Sequence, residues 1–202
     1  MKGRESGMPE EDHWDSFFDA ECLIEKLVPL HIKCGDIAEL GSGYGTFTIP
    51  AARKTSGLIH GFDIESNLVT IVQDKCKRQG ITNARLEQRD FIEQGTGLPS
   101  ASVEHVMIYN ILHIEYPIKL LQEVFRILKP NGTASVIHWR TDIQTPRGPS
   151  MEIRPSIEQC KDWARATGFV QQEQITVSTC ARYHYGLLLA RPKTVNKNWE
   201  NT

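Results

Sequence analysis

Three glycines alternate at Gly41, Gly43 and Gly45, and the residues on either side leave few folds open. Asp36-Ile37-Ala38 leads an apolar run with strand character, and Thr46 to Lys54 has helix-compatible spacing. A strand, a glycine turn and a helix make a cradle. Glycine reaches positive φ and lets a ligand approach where a Cβ would stand, and the helix opens with backbone N–H groups that lack intrahelical partners. A dinucleotide fingerprint spaces its glycines Gly-x-Gly-x-x-Gly. Here the order is Glu-x-Gly-x-Gly-x-Gly, with Glu39 two residues before Gly41. A carboxylate there repels a pyrophosphate and suits a ligand with an ammonium or sulfonium group.

The chain keeps alternating between the two periodicities. Gly57 to Glu65 reads as a second strand ending in Asp63, an acid placed to accept from both hydroxyls of a ribose. Ser66 to Gly80 follows as a helix with Leu68, Val69, Val72 and Cys76 on one face, Ser66 as N-cap and Gly80 as stop. Ala84 to Phe91 is a third strand closing on Asp90 and Phe91, and Val103 to Asn110 is a fourth. Pro117 to Leu128 is a helix that stops at Lys129-Pro130-Asn131-Gly132, and Thr133 to Trp139 is the fifth strand. A helix over Ser156 to Thr167, capped by Ser156 and stopped by Gly168, leads to a closing antiparallel pair, Gln174 to Thr179 and Tyr183 to Arg191.

This alternation predicts an α/β fold: a Rossmann-like seven-stranded, mostly parallel sheet with an antiparallel edge hairpin and helices on both faces. Ligand then sits at the carboxyl ends of the strands, near the first strand, where strand order switches. Residues 1–12 are expected to be mobile, and Trp14 to Leu30 to be one amphipathic helix ended by Pro29. The chain divides into an N-terminal segment with a lid helix (1–30), the main domain (31–192) and a disordered tail (193–202). Residues 141–155 form a Pro-rich loop.

Taken together, Glu39-Leu-Gly-Ser-Gly-Tyr-Gly45, Asp63, Asp90 and the junction Leu121-Gln-Glu-Val-Phe-Arg-Ile-Leu-Lys-Pro-Asn-Gly132 resemble the class I S-adenosylmethionine (SAM)-dependent methyltransferases. Within that class the chain is similar to the small-molecule group that includes ubiquinone and menaquinone biosynthetic methyltransferases. The resemblance implies SAM as cofactor, S-adenosylhomocysteine as product and in-line methyl displacement onto a small-molecule acceptor. It assigns Glu39, Gly41, Ser42, Gly43, Tyr44 and Gly45 to the methionine end, with Ser42 or a backbone N–H reaching the carboxylate. It gives Asp63 to the ribose, Ile64 to the adenine face, Asp90 and Phe91 to the adenine edge, and Asn110 and Ile111 to the methionine amino group. Asp90 also suits a helix N-cap. A non-catalytic SAM-binding protein on the same fold is the alternative, and the glycine spacing with Glu39 tells against a nicotinamide oxidoreductase.

The acceptor side is less defined. His113, just past the fourth strand, fits either a general base or a buried hydrogen-bonded spacer. Trp14, Phe17 and Phe18 fit either a core face or a lid over the cofactor, with Met8-Pro9 leading in. Tyr116, Trp139, Arg140 and Arg147, with Arg154, flank the expected opening, where arginines recognise a carboxylate or phosphate or are simply solvated. No metal site is expected. The fourth strand ends Tyr-Asn-Ile-Leu-His, without the Pro-Pro-Tyr pocket of amino-methylating enzymes.

A net charge of −2 and no basic cluster disfavour nucleic acid. No apolar run approaches the roughly 20 residues that span a bilayer. With no hydrophobic leader, a cytoplasmic location is expected. The five scattered cysteines (Cys22, Cys34, Cys76, Cys160, Cys180) are then expected to be reduced core residues. Binding of a soft metalloid is the sharper alternative for them. A homodimer through the edge hairpin or the N-terminal helix is left open.

Overall fold

A computed structural model of the chain describes residues 7–29, 32 and 34–193. Among these, seven strands form one sheet: β1 (Ile37–Leu40), β2 (Ile59–Asp63), β3 (Ala84–Gln88), β4 (Val103–Tyr109), β5 (Leu128–Trp139), β6 (Gln171–Ile175) and β7 (His184–Ala190). Their order is β3-β2-β1-β4-β5-β7-β6. The pairs β1–β2, β1–β4, β2–β3 and β4–β5 are parallel, and β7 runs antiparallel to β5 and β6. The expected sheet is therefore present, with its antiparallel edge. All four residues of central β1 are buried, as befits a strand covered on both faces. The edge strands β3 and β6 are polar and largely exposed, which keeps their unpaired backbone in water.

Two apolar layers sandwich the sheet. On one face α6 (Pro117–Ile127) and α7 (Ile157–Thr167) bury Leu120, Leu121, Val124, Ile127, Cys160 and Ala164. On the other, α2 (Ala20–Leu27) and α3 (Thr48–Lys54) bury Leu23, Ile24, Leu27, Ala51 and Ala52. Each fully buried Leu or Ile contributes roughly 1.5–3 kcal/mol relative to exposure. Helix boundaries follow their signals: Pro117 opens α6, a Ser156–Gln159 capping box opens α7, and left-handed Gly168 closes it. In α4 (Ser66–Arg78) the N-cap is Glu65, one residue before the expected Ser66.

Three expectations fail for identifiable reasons. The N-terminal helix is broken into α1 (Glu11–Asp15) and α2. The Ser16 hydroxyl donates to the His13 carbonyl (2.7 Å), and Asp19 turns extended to cap α2 by accepting from the Cys22 N–H (3.0 Å). Residues 7–12 are held in place: Tyr44 Oη donates to the Pro9 carbonyl (3.0 Å), and Glu11 pairs with Lys75. Strand β6 starts three residues early because Gly168 ends α7 abruptly and the Val170 N–H already bonds Ala190 (3.0 Å). The expectations for residues 1–6 and 194–202 lie outside the described residues.

The cysteines correct the expectation of reduced thiols. Cys22 on α2 and Cys180 in the β6–β7 connection are joined by a disulfide across a separation of 158 residues. Cys34, Cys76 and Cys160 are free. The pairing has no local sequence signal; it arises because α2 packs beside β7, where the Asp19 N–H bonds the Cys180 carbonyl (2.7 Å).

Candidate cofactor and acceptor site

A cavity of about 400 Å³ opens at the carboxyl ends of β1, β2 and β4. Gly41, Ser42 and Gly43 of the glycine turn line it, and Gly41, Gly43 and Gly45 sit at φ +82°, +52° and +80°. The turn is shaped by the neighbouring strand end: the N–H groups of Gly41 and Ser42 donate to the Phe62 carbonyl (2.9 and 3.0 Å), and that of Gly43 donates to Asp63 Oδ2 (2.8 Å). These three amides are already engaged, whereas the buried Ser42 hydroxyl has no partner. Asp63 is held twice, because Oδ1 also accepts from the Glu65 N–H (3.0 Å). Burial raises its pKa, opposed by these amide bonds.

Asp90 lines the cavity and also caps the short helix α5 (Phe91–Gln94), accepting from the Glu93 N–H (3.2 Å). Both readings of Asp90 are thus compatible in one geometry. Ile64, Phe91 and Ile111 supply apolar wall around it. Asn110, directly after β4, sits at φ +57° with both side-chain amide atoms buried and unpartnered. A non-glycine residue held left-handed is uncommon and worth explaining. Here its N–H bonds the Ile137 carbonyl (2.7 Å), which fixes the strand end beside β5.

Other expected cofactor residues lie elsewhere. Glu39 is buried behind the turn and is not part of the cavity wall. Thr48 Oγ1 donates to its Oε2, Oε1 has no partner, and burial pushes its pKa up to about 8. Gly45 packs toward Val72, whose Cγ1 would lie 2.8 Å from an added Cβ. Tyr44 faces the N-terminal segment through Pro9, and its carbonyl accepts from Lys75 (2.7 Å).

The far side is built from distant segments. Met8, Trp14, His113, Trp139 and Arg147 line the cavity, with Gly148 and Ile153. An added Cβ on Gly43 would meet Met8 Sδ at 2.9 Å, so the N-terminal segment lies directly over the turn. It is pinned there by Arg147, which donates to the Gly7 carbonyl, and by Thr46 Oγ1, which donates to Asp15 (2.7 Å). Phe17 packs on Trp139 with ring centroids 5.2 Å apart. Arg154 is buried; it binds the Pro149, Arg140 and Arg147 carbonyls and Thr145 Oγ1 (2.7–3.1 Å), folding the 141–155 loop against the site. His113 Nδ1 lies 3.3 Å from His138 Nε2, and burial with the nearby Arg154 charge lowers the His113 pKa.

Three expected acceptor residues are not on the wall. Phe18 turns instead toward Phe47 and His184, with ring centroids 5.2 and 4.7 Å away. Tyr116 is 56% exposed before α6. Arg140 closes a bidentate pair with Asp142 two residues away (2.9 and 2.6 Å). Conversely, Met8 sat within residues expected to be mobile. Arg89, Ile92, Tyr109 and Ile114 line the cavity without any motif to single them out; their only signal is adjacency to the ends of β3 and β4.

Residues 37–132 match the family described as Methyltransferase domain. Over this segment the chain has the sequence pattern of a methyltransferase domain. A solved SAM-dependent methyltransferase from Aquifex aeolicus superposes with a TM-score of 0.73 at 18% identity, covering 90% of this chain and 93% of that one. A Haemonchus contortus phosphoethanolamine N-methyltransferase 2 in complex with SAM gives 0.69 at 15% identity, over 86% and 52% of the two chains. A ribosomal protein L11 methyltransferase of Vibrio campbellii is 27% identical over 154 residues, 74% of this chain and 49% of that protein. The chain spans less than half the length of the curated relatives that it matches.

The residues present fit SAM. The orphaned Ser42 hydroxyl and Asn110 amide supply unmet polar valence beside the turn, where an amino-acid tail needs donors and acceptors. The carboxylates of Asp63 and Asp90 retain free lone pairs, because each oxygen accepts more than the one backbone bond it holds. Among the described residues, no helix is long and apolar enough to cross a membrane.

Proposed function

We propose that the chain transfers the methyl group of SAM to a small-molecule acceptor held between Trp14, His113, Trp139 and Arg147. The carrying observation is the pair of unpartnered polar side chains, Ser42 and Asn110, set beside Asp63 on one cavity. Bound there, SAM supplies a methyl group on a sulfonium, already activated for displacement. In this reading Asp63 accepts from the ribose hydroxyls, Asp90 and Phe91 meet the adenine, and Ser42, Asn110 and Ile111 hold the methionine end. Glu39, neutral at its pKa of about 8, supports the turn from behind through Thr48.

The protein's own contribution is alignment and exclusion of water, and such orientation is worth roughly 7–11 kcal/mol in well-placed reactions. Met8 and Trp14 act as the lid, on the N-terminal segment assigned to residues 1–30, which serves the catalytic domain assigned to 31–192. A small acceptor is favoured over a protein side chain because this segment and the 141–155 loop close the far side of the cavity. The reading needs neither nucleic acid nor a second copy; a cytoplasmic location goes with it, one in which the Cys22–Cys180 bridge is an exception. A protein acceptor is the second reading, favoured by the names of the curated relatives.

Calorimetry with SAM, S-adenosylhomocysteine and NAD tests the cofactor, followed by an acceptor screen of phenols, quinones, amines and thiols beside purified ribosomal protein. Micromolar binding of the first two, none of NAD, and transfer to a small acceptor are expected. Absence of SAM binding overturns the reading, and transfer only to protein replaces it with the second.

A further inference from the structure

Two rings stand in series behind the acceptor side. His113 lines the cavity, and His138, on β5, is completely buried behind it. Their contact joins His113 Nδ1 to His138 Nε2 at 3.3 Å, and His138 Nδ1 lies 3.4 Å from the Trp139 carbonyl. A carbonyl oxygen only accepts, so His138 donates to it with its proton on Nδ1. A neutral imidazole has one N–H and one lone pair, which leaves a lone pair on His138 Nε2. That lone pair faces His113 Nδ1, so the two rings bond when His113 also carries its proton on Nδ1. The lone pair of His113 is then on Nε2, which no group among the described residues engages. With both rings neutral, any other arrangement places two lone pairs or two N–H groups against each other in a buried site.

We infer that His138 is a positioning residue that holds the proton on Nδ1 of His113, so that Nε2 of His113 takes the proton of a hydroxyl acceptor during methyl transfer. The inference rests on the methyl-transfer reading and narrows the acceptor to an alcohol, phenol or enol. The O–H proton moves to Nε2 while a carbon–oxygen bond forms and the methyl–sulfur bond breaks. The positive charge that enters with the sulfonium leaves on the imidazolium, which returns its proton to water.

The charged and titratable groups around the pair favour neutral rings at the start. Arg154 acts on both from the 141–155 loop, His184 faces His138 from β7, and Tyr185 stacks on His138 with centroids 6.2 Å apart. Arg147 lies on the same cavity wall. Among the described residues no carboxylate lies within ion-pair distance of either histidine.

Imidazole ¹⁵N NMR of the full chain tests this without any acceptor, with His113→Gln identifying the signals. At pH 7.5 His113 is expected as the Nδ1–H tautomer. His138→Gln, which keeps an acceptor oxygen toward His113, preserves that tautomer, and His138→Phe, which removes it, shifts His113 to Nε2–H. An Nε2–H tautomer in the unmodified protein, or no change in His138→Phe, overturns the inference. Amide ¹H–¹⁵N spectra of the same samples report whether each variant is folded, and SAM calorimetry is read separately. If His138→Phe does not fold, the tautomer of the unmodified protein decides alone. Absence of SAM binding in a well-folded protein with the expected tautomer would sink the methyl-transfer reading and leave the proton assignment standing.

Discussion

The cofactor side and the acceptor side of this cavity are built from different material. Asp63, Asp90 and Asn110 sit at or just past the ends of β2, β3 and β4, where the sheet ladder fixes the backbone. Their anchors are backbone amides or carbonyls close in sequence or on the next strand. The acceptor side gathers Met8, Trp14, His113, Trp139 and Arg147 from separate segments. One of its ties, Arg147 to Gly7, spans 140 residues. A strand end moves only if the sheet moves, whereas a loop side chain held by single hydrogen bonds opens locally. The rigid side lies within the family-matched residues 37–132, and the adjustable side is the one proposed to meet the acceptor.

The largest effect that would sharpen this contrast is on Asp63. Asp63→Ala removes the acceptor for the Gly43 and Glu65 amides as well as for the proposed ribose. Hydrogen bonds to a charged group are worth about 1.5–3 kcal/mol, so SAM affinity in calorimetry is expected to fall up to about 100-fold. Retained affinity would mean that the turn, not the acid, recognises the cofactor. Next comes the bridge that ties α2 to the β6–β7 connection. Replacing Cys22 and Cys180 by serine is expected to cost about 2 kcal/mol in urea unfolding, the low end for a disulfide, since Leu23, Ile24 and Leu27 still pack α2. Reductant should destabilise the parent protein equally and the double variant not at all. A free-thiol count of five in native protein would show that the bridge does not form in solution.

Glu39 gives a smaller effect with a definite sign. Its folded pKa of about 8 lies above the ordinary carboxyl value of 4.5, so the native state binds the extra proton. Stability from this group is full below pH 4.5 and declines as pH rises toward 8, with a slope of at most about 1.4 kcal/mol per pH unit. Glu39→Gln cannot ionise and keeps an oxygen for Thr48. Its melting advantage over the parent should grow between pH 5 and 8 to about 1.5 kcal/mol, below the full slope because local opening of the turn admits water before global unfolding. A constant difference across that range would place the ionised carboxylate in the native state.

What was legible divides along the same line. The glycine spacing, the acids closing β2 and β3, and the Pro–Gly junction before β5 are each local signals, readable within about ten residues. They yielded the seven strands, the antiparallel edge and the residues proposed for the cofactor end, but not the strand order. Glu39 was visible as an acid, but its direction was not, because a side chain's face depends on the pleat of a strand covered on both sides. The acceptor side depended on long-range closure. Nothing near Cys22 points to Cys180, and nothing near His113 points to His138. Tyr116 and Arg140 were adjacent to the opening in sequence, yet one is exposed ahead of α6 and the other is satisfied by Asp142. The break between α1 and α2 came from Ser16 and Asp19 offering side-chain bonds that compete with the helix.

The smallest effect bears most directly on whether the two sides act separately. Arg147 touches the N-terminal segment and the cavity wall, but none of the residues proposed for SAM. Arg147→Ala loses one bond to the Gly7 carbonyl on a partly exposed surface, worth roughly 1 kcal/mol. SAM affinity should therefore change by no more than about fivefold, while the KM of any acceptor found in the screen rises by more, and most for acceptors bearing a carboxylate or phosphate. Arg147→Lys, which keeps the charge but not the planar fork, should recover part of that loss for anionic acceptors and none for neutral ones. If Arg147→Ala instead weakens SAM as much as Asp63→Ala does, the lid is part of the cofactor site, and the division into a rigid half and an adjustable half is wrong.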